Sequence, residues 1–358
     1  MTNQTSSELN HDEVQRFAGQ VLADLSSAFA GAMTLIGHRL GLYRMLADGG
    51  PQTSMELARR TSTHERYVRE WLHGQRAGGY LKYDPASARF ALSAESAAVL
   101  ADEASPALMT PAFDVAAAIW NGAERLAESF RTGGGIGWGE HGECLFHGTE
   151  VFFRNGYRRH LTTNWIPALD GVDQRLREGA SVADVGCGHG ASTIVMAQAY
   201  PTSRFVGFDY HEESIRIARQ RAIAASVDDR VRFEVASATD FPGEAYDLIC
   251  FMDAYHDLGD PVGAAKRSVE GLAHDGTLML VEPRAASADE DNTGPVARLY
   301  YAASTAICTP NAISQLGGVA LGAQAGPVRL GETLAAAGFG DVRVVCETAF
   351  NLVIQARR

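Results

Sequence analysis

Long apolar runs are missing from this chain. No segment approaches the roughly 20 uninterrupted apolar residues that a helix needs to cross a bilayer, so no membrane association is expected. Positive charge is scarce as well. The 31 Lys and Arg stand against 43 Asp and Glu, and a net charge of −12 argues against broad contact with nucleic acid or an anionic membrane. The five cysteines (Cys144, Cys187, Cys250, Cys308, Cys346) are odd in number and form no CxxC pair, which fits reduced thiols in a cytoplasmic protein and excludes a disulfide framework. Residues 1–13, MTNQTSSELNHDE, lack the charged-then-apolar order of a signal peptide and are expected to be a disordered tail. There is no internal repeat, and Gly133-Gly134-Gly135 is the one low-complexity stretch. What is present suffices for folding: 46% hydrophobic residues build sizeable cores, and 358 residues suggest two domains.

Three textures follow the tail. Residues 14–104 read as a winged-helix-like, dimer-forming domain. Thr53-Ser54-Met55-Glu56 is a capping box that opens a helix, a second helix runs through HERYVREWLHGQRAGG to Gly78-Gly79, and YLKYD and RFALS form a small hairpin across Pro85-Ala86-Ser87. Residues 105–179 read as a helical connector with a substrate-pocket loop, WGEHGECLFHGTEVFF. From 180 to 358 apolar strands alternate with helical stretches, and DVRVVCETAF and NLVIQARR add two adjoining strands. The expected fold class is therefore α/β: a Rossmann-like doubly wound sheet with an antiparallel C-terminal edge hairpin, plus the mainly helical N-terminal domain.

The chemistry gathers in Val182-Ala183-Asp184-Val185-Gly186-Cys187-Gly188-His189-Gly190, after an apolar strand and before a helix. Glycines there let the chain turn sharply and let a ligand lie on bare backbone. The GxGxG spacing is one residue tighter than the GxGxxG that cradles a dinucleotide pyrophosphate, which disfavours an NAD-dependent dehydrogenase. Asp184 would repel a pyrophosphate and attract the ammonium of a methionine moiety. Asp209, at the tip of RFVGFDY, is placed to accept two ribose hydroxyls, and Asp240 in VASATD to meet an adenine amino group. An ordinary loop carboxylate explains any one of these; three on successive strand ends would line one crevice.

DVGCGHG, FDY, YDLICFMDAYHD and GFGDVRVV together resemble the ordered motifs of class I S-adenosylmethionine-dependent methyltransferases, over about residues 180–358. HERYVREWLHGQRAGGY and FRNGYRRHLTTNWIPALDG resemble an actinobacterial-type subgroup of small-molecule methyltransferases with an N-terminal winged-helix domain. The resemblance implies S-adenosyl-L-methionine as cofactor and S-adenosyl-L-homocysteine as product. It implies Asp184, Gly186, Cys187, Gly188 and Gly190 around the methionine part, Asp209 and Tyr210 at the ribose, and Ala238, Thr239 and Asp240 at the adenine, with Met252 completing the site. It also implies a His-Asp pair after the fourth strand as general base, which falls on His256 and Asp257, although LGDP replaces the family's tryptophan-containing turn.

The acceptor pocket is expected at Trp138, His141, Phe146, His147 and Asp253, with Phe152, Phe153 and residues 299–321 as further walls, the last segment also serving as a lid. His141, Cys144 and His147 have the spacing for a soft metal but no fourth fixed ligand, so no metal is expected. Between Thr53 and Leu92 seven basic residues face four acids, a modest net of +3, and Glu65 and Glu70 share the second helix with Arg66 and Arg69. Phosphate binding wants clustered charge. A homodimer through apolar positions such as Val21, Leu22, Leu25, Phe29, Leu35 and Ile36 is the expected role of the N-terminal domain, and a small-molecule acceptor is the expected partner. O-methylation in secondary metabolism is the favoured reading, with a transcriptional regulator that senses the same cofactor as the alternative.

Overall fold

Asn10 sets where the first helix begins. Its side chain accepts from the backbone N–H groups of Asp12 and Glu13 and so starts α1 (His11–Arg39). The structure, a computed structural model, describes residues 9–358. Of the expected disordered tail, residues 1–8 lie outside the described residues, whereas residues 11–13 form the first turn of α1 because that cap satisfies their free donors. The chain divides into two compact units, meeting in sequence between Ala117 and Ala118.

In the first unit α1 is followed by α2 (Leu42–Gly49), α3 (Ser54–Thr61) and α4 (Glu65–Ala77). The Thr53–Glu56 capping box is present in full, and α4 stops at Gly78. Strands β1 (Lys82–Asp84) and β2 (Arg89–Ala91) form the wing, and α5 (Ala94–Leu100) closes the unit's core of Leu46, Leu57, Trp71, Leu72 and Phe90. On α4, Arg66 pairs with Glu70 at 2.5 Å and Arg69 with Glu65 at 2.6 Å. Helix α1 leaves Phe17, Leu22, Leu25 and Phe29 half or more exposed. Helix α1 is long and apolar enough to cross a membrane by length and composition alone, with 17% of its apolar window buried, although it holds no uninterrupted apolar run of the length expected of a span. Asp24 interrupts it.

Helix α6 (Ala112–Asn121) spans the division, and α7 (Ala123–Thr132) follows. The aromatic segment read as a loop is mostly helical: after a short turn at Trp138–Glu140 it forms the first half of α8 (Glu143–His160). Helix α9 (Val172–Glu178) leads into the sheet. Strands β3 (Ser181–Val185), β4 (Arg204–Asp209), β5 (Val231–Val235), β6 (Tyr246–Met252) and β7 (Leu272–Pro283) are parallel, and β8 (Asp341–Glu347) and β9 (Asn351–Arg357) are the expected hairpin. The spatial order is β5-β4-β3-β6-β7-β9-β8, so β9 runs antiparallel between β7 and β8. Alternation along β3 splits the core: Val182 packs with Leu248 and Met279 on one face, Ala183 and Val185 with Val206 and Ile249 on the other.

The intervening helices are α10 (Ala191–Ala199), α11 (Glu212–Ala224), α12 (Pro261–Gly271), α13 (Gly294–Ala303), α14 (Thr309–Ser314) and α15 (Gly326–Ala337). Helix α10 contributes Met196 and Ala197 to the first face, and α12 contributes Ala264 and Ala265 to the second. The crossovers leaving β3 and β6 thus go to opposite faces, which opens a crevice at their carboxyl ends. The expected glycine-rich lid is largely helix, with α13 and α14 joined by a π-type turn at Ser304–Cys308.

Candidate active site

That crevice holds a cavity of about 430 Å³. Its floor is the bend after β3. The N–H groups of Gly186 and Cys187 both donate to the Phe208 carbonyl, at 2.8 and 3.0 Å, which pins the bend to β4. Gly186, Gly188 and Gly190 all have positive φ, at 76°, 51° and 77°. A Cβ on Gly188 would meet nothing within 4 Å, so this stretch presents bare main chain to open space. Gly190 does not line the cavity as expected. It is a packing glycine, whose Cβ would lie 2.5 Å from the Phe233 ring.

Asp209 ends β4 and lines the cavity. Its carboxylate accepts from the Gly188 N–H at 2.9 Å and the His211 N–H at 2.8 Å. Burial raises its pKa, and those two amides oppose the rise. The oxygens keep lone pairs for hydroxyl donors. Tyr210, Ala238, Thr239, Met252 and Asp253 join the wall as expected, with Cys187, Trp138 and Phe146. Asn311 braces two of them, accepting from the Trp138 N–H and the Tyr210 hydroxyl, each at 3.1 Å.

Several expected site residues stand elsewhere. Asp184 is 0% exposed and off the cavity wall; it accepts from Ser192 and Thr193 at 2.6 Å each, and burial raises its pKa. An acid inside a strand covered on both faces has no route to a ligand, so Asp184 anchors the start of α10 beneath the bend. Asp240 and His147 are exposed, and His141 is half-buried; none of the three lines the cavity. Asp240 misses because its turn closes through its own N–H to the Ser237 carbonyl at 3.1 Å.

The largest correction concerns His256. It is 4% exposed and off the wall, with Nδ1 2.6 Å from Glu282 and Nε2 3.1 Å from Asp257. Burial opposes charging the ring, yet the Asp257 and Glu282 carboxylates win and lift its pKa well above 6.5. Both nitrogens of an imidazolium are donors, so neither can take a proton from an acceptor. His256 is a buried ion-pair centre. Asp257 does line the cavity.

What sequence reasoning missed comes from the helix α8. Helix α8 supplies Glu150 and Tyr157 beside Phe146 and Phe153, whereas Gln315 and Leu316, after α14, fall in the segment 299–321 expected at the wall. The Tyr157 hydroxyl donates to Asp253 at 3.2 Å, and Asn351 Nδ2 donates to its other oxygen at 2.7 Å. Asp253 adopts φ 53°, a left-handed conformation unusual for a non-glycine residue and frequent at functional sites. Its pKa is raised well above the carboxylate range, by burial first and then by Glu282.

Comparison with known proteins agrees with this geometry. Residues 28–102 match the Rv2258c-like winged HTH domain, and residues 176–316 match a methyltransferase domain. The chain is 33% identical over 107 residues to 27-O-demethylrifamycin SV methyltransferase of Amycolatopsis mediterranei, covering 29% of this chain and 39% of that protein. It is 30% identical over 131 residues to trans-aconitate 2-methyltransferase of Streptomyces avermitilis, covering 36% and 49%. It thus spans less than half the length of both. Human N-acetylserotonin methyltransferase, solved with S-adenosylmethionine, superposes with a TM-score of 0.67 at 19% identity, covering 100% of this chain and 99% of that one. That likeness shows the class I methyltransferase fold. The chain therefore carries a methyltransferase domain over residues 176–316 behind a winged helix–turn–helix domain over residues 28–102. The bare bend and the carboxylate of Asp209 fit S-adenosylmethionine.

Proposed function

We propose that this protein transfers the methyl group of S-adenosylmethionine to an oxygen of a small organic acceptor, in the cytoplasm and within secondary metabolism. The observation that carries the reading is the 430 Å³ cavity over the Gly186–Gly190 bend, with Asp209 at one side and the apolar face of α8 at the other. Bound there, the cofactor supplies a methyl group on a sulfonium, already a strong electrophile. Gly186, Cys187 and Gly188 bear the methionine part, Asp209 the ribose hydroxyls, and Ala238 and Thr239 the base. The chain's contribution is placement and exclusion of water, potentially about 7–11 kcal/mol of barrier. Asp253 lines the same wall, held by the Tyr157 hydroxyl and the Asn351 amide.

Calorimetry with S-adenosylhomocysteine and NAD tests the class directly: the first should bind and the second should not. Asp209→Ala should weaken S-adenosylhomocysteine binding by about 1–3 kcal/mol through loss of charge-assisted hydrogen bonds. Unchanged affinity in a folded variant would remove Asp209 from the site.

The apolar stripe on α1 supports a homodimer, with Phe17, Leu22, Leu25 and Phe29 covered by a second copy of the chain. Phe29→Glu combined with Leu25→Glu should shift the sedimenting species from dimer to monomer. A wild-type monomer at micromolar concentration would end the proposal. The regulator alternative rests on the winged domain, and the Arg66–Glu70 and Arg69–Glu65 pairs on α4 weigh against phosphate contacts. Gel-shift with genomic fragments separates the two readings.

A further inference from the structure

The charge of the cavity wall restricts what can be methylated. Among the described residues, Glu150, Asp209, Asp253, Asp257 and Asp260 line it, and no Lys or Arg does. Two guanidinium groups face Glu150: Arg221 lies 2.7 Å and Arg154 3.4 Å from its Oε1. Neither arginine reaches the wall. At the β6–β7 end, His256 lies off the wall and is held between Asp257 and the buried Glu282. The histidine that does line the cavity, His189, is pushed down to about 4 by burial and then by Arg221, so it is neutral near neutral pH. Apart from the charges of the cofactor itself, an anionic substrate would meet no positive partner on the wall.

The apolar lining points the same way. Trp138 and Phe146 stand edge to face at 5.4 Å, and Phe153 stacks toward Tyr157. Aromatic faces carry negative potential and favour flat or cationic guests.

We propose that the acceptor is an aromatic compound that reaches this cavity uncharged or as a cation, and that compounds bearing a carboxylate or phosphate are rejected. The proposal names the substrate class of the methyl-transfer site and rests on that reading. An acid such as trans-aconitate, after which one relative is named, falls outside it.

The test uses the full chain saturated with S-adenosylhomocysteine and titrated calorimetrically, near neutral pH, with p-cresol, tyramine and 4-hydroxyphenylacetate. These share a ring and differ in charge. The anion should bind about tenfold or more weakly than either of the others. Glu150→Gln would remove the carboxylate that faces Arg221, so it should raise the affinity of the anion severalfold relative to p-cresol. Equal or tighter binding of the anion by wild type overturns the proposal, and so does failure of all three rings to bind. Failure of S-adenosylhomocysteine itself to bind is a different result; it removes the methyltransferase reading and takes this inference with it.

Discussion

Glu282→Leu should cost about 3–5 kcal/mol of folding stability, the penalty for leaving a buried charge without its partner. Glu282 is 0% exposed on β7, holds His256 Nδ1 at 2.6 Å and accepts the Tyr255 N–H at 3.0 Å. Removing it strips the imidazolium of one of two flanking carboxylates and orphans a backbone donor at once. Urea unfolding measures the loss, and a change under about 1 kcal/mol would show that the pair is not a stability centre. His256→Leu in the same chain should restore part of the stability, because an apolar pair of similar volume needs no desolvation of charge. The sign of the pH effect follows from the raised pKa. A folded value above the ordinary 6.5 means that the contribution is complete below 6.5 and is lost as pH rises through the folded value. The ring should therefore stay protonated where exposed histidines have titrated, which nitrogen-detected NMR reads directly.

Gly190→Val should abolish S-adenosylhomocysteine binding and destabilise the protein by about 2–5 kcal/mol, combining left-handed backbone strain with overpacking. Its φ is 77°, and the new Cβ would sit 2.5 Å from Phe233 and 3.1 Å from Ala218. Gly188→Ala isolates the other half of the argument. Its φ is 51° and its Cβ would meet nothing, so the fold should persist while the cofactor loses its bare backbone. Calorimetry and thermal melts on both variants separate the effects. Full affinity in Gly188→Ala would sink the idea that the ligand lies against this residue.

The cofactor half of the cavity is legible because its parts are local. A glycine bend after an apolar strand and an acid at the next strand tip each sit within a few residues of the pattern that announces them. Asp184 misleads because its neighbours are glycines, although its place inside a strand buried on both faces already implies that it turns inward. His256 misleads for a different reason. Its partner Glu282 is 26 residues away, brought near by the parallel pairing of β6 and β7, and no short window contains both. The acceptor wall was within reach of periodicity: Phe146, Glu150, Phe153 and Tyr157 fall at i, i+4, i+7 and i+11 of one helix. Gly142, Gly148 and Gly156 around them disguise that spacing as a loop.

The position of β9 bears on how the protein is made. The strand slots between β7 and β8, and its first residue, Asn351, is the one that steadies Asp253 at the wall. During synthesis β7 must therefore wait with an open, apolar edge until residues 351–357 have cleared the ribosome. The cavity wall is thus completed by a strand made after β7 and β8, so a nascent chain stalled before residue 351 holds neither a finished sheet nor a finished site.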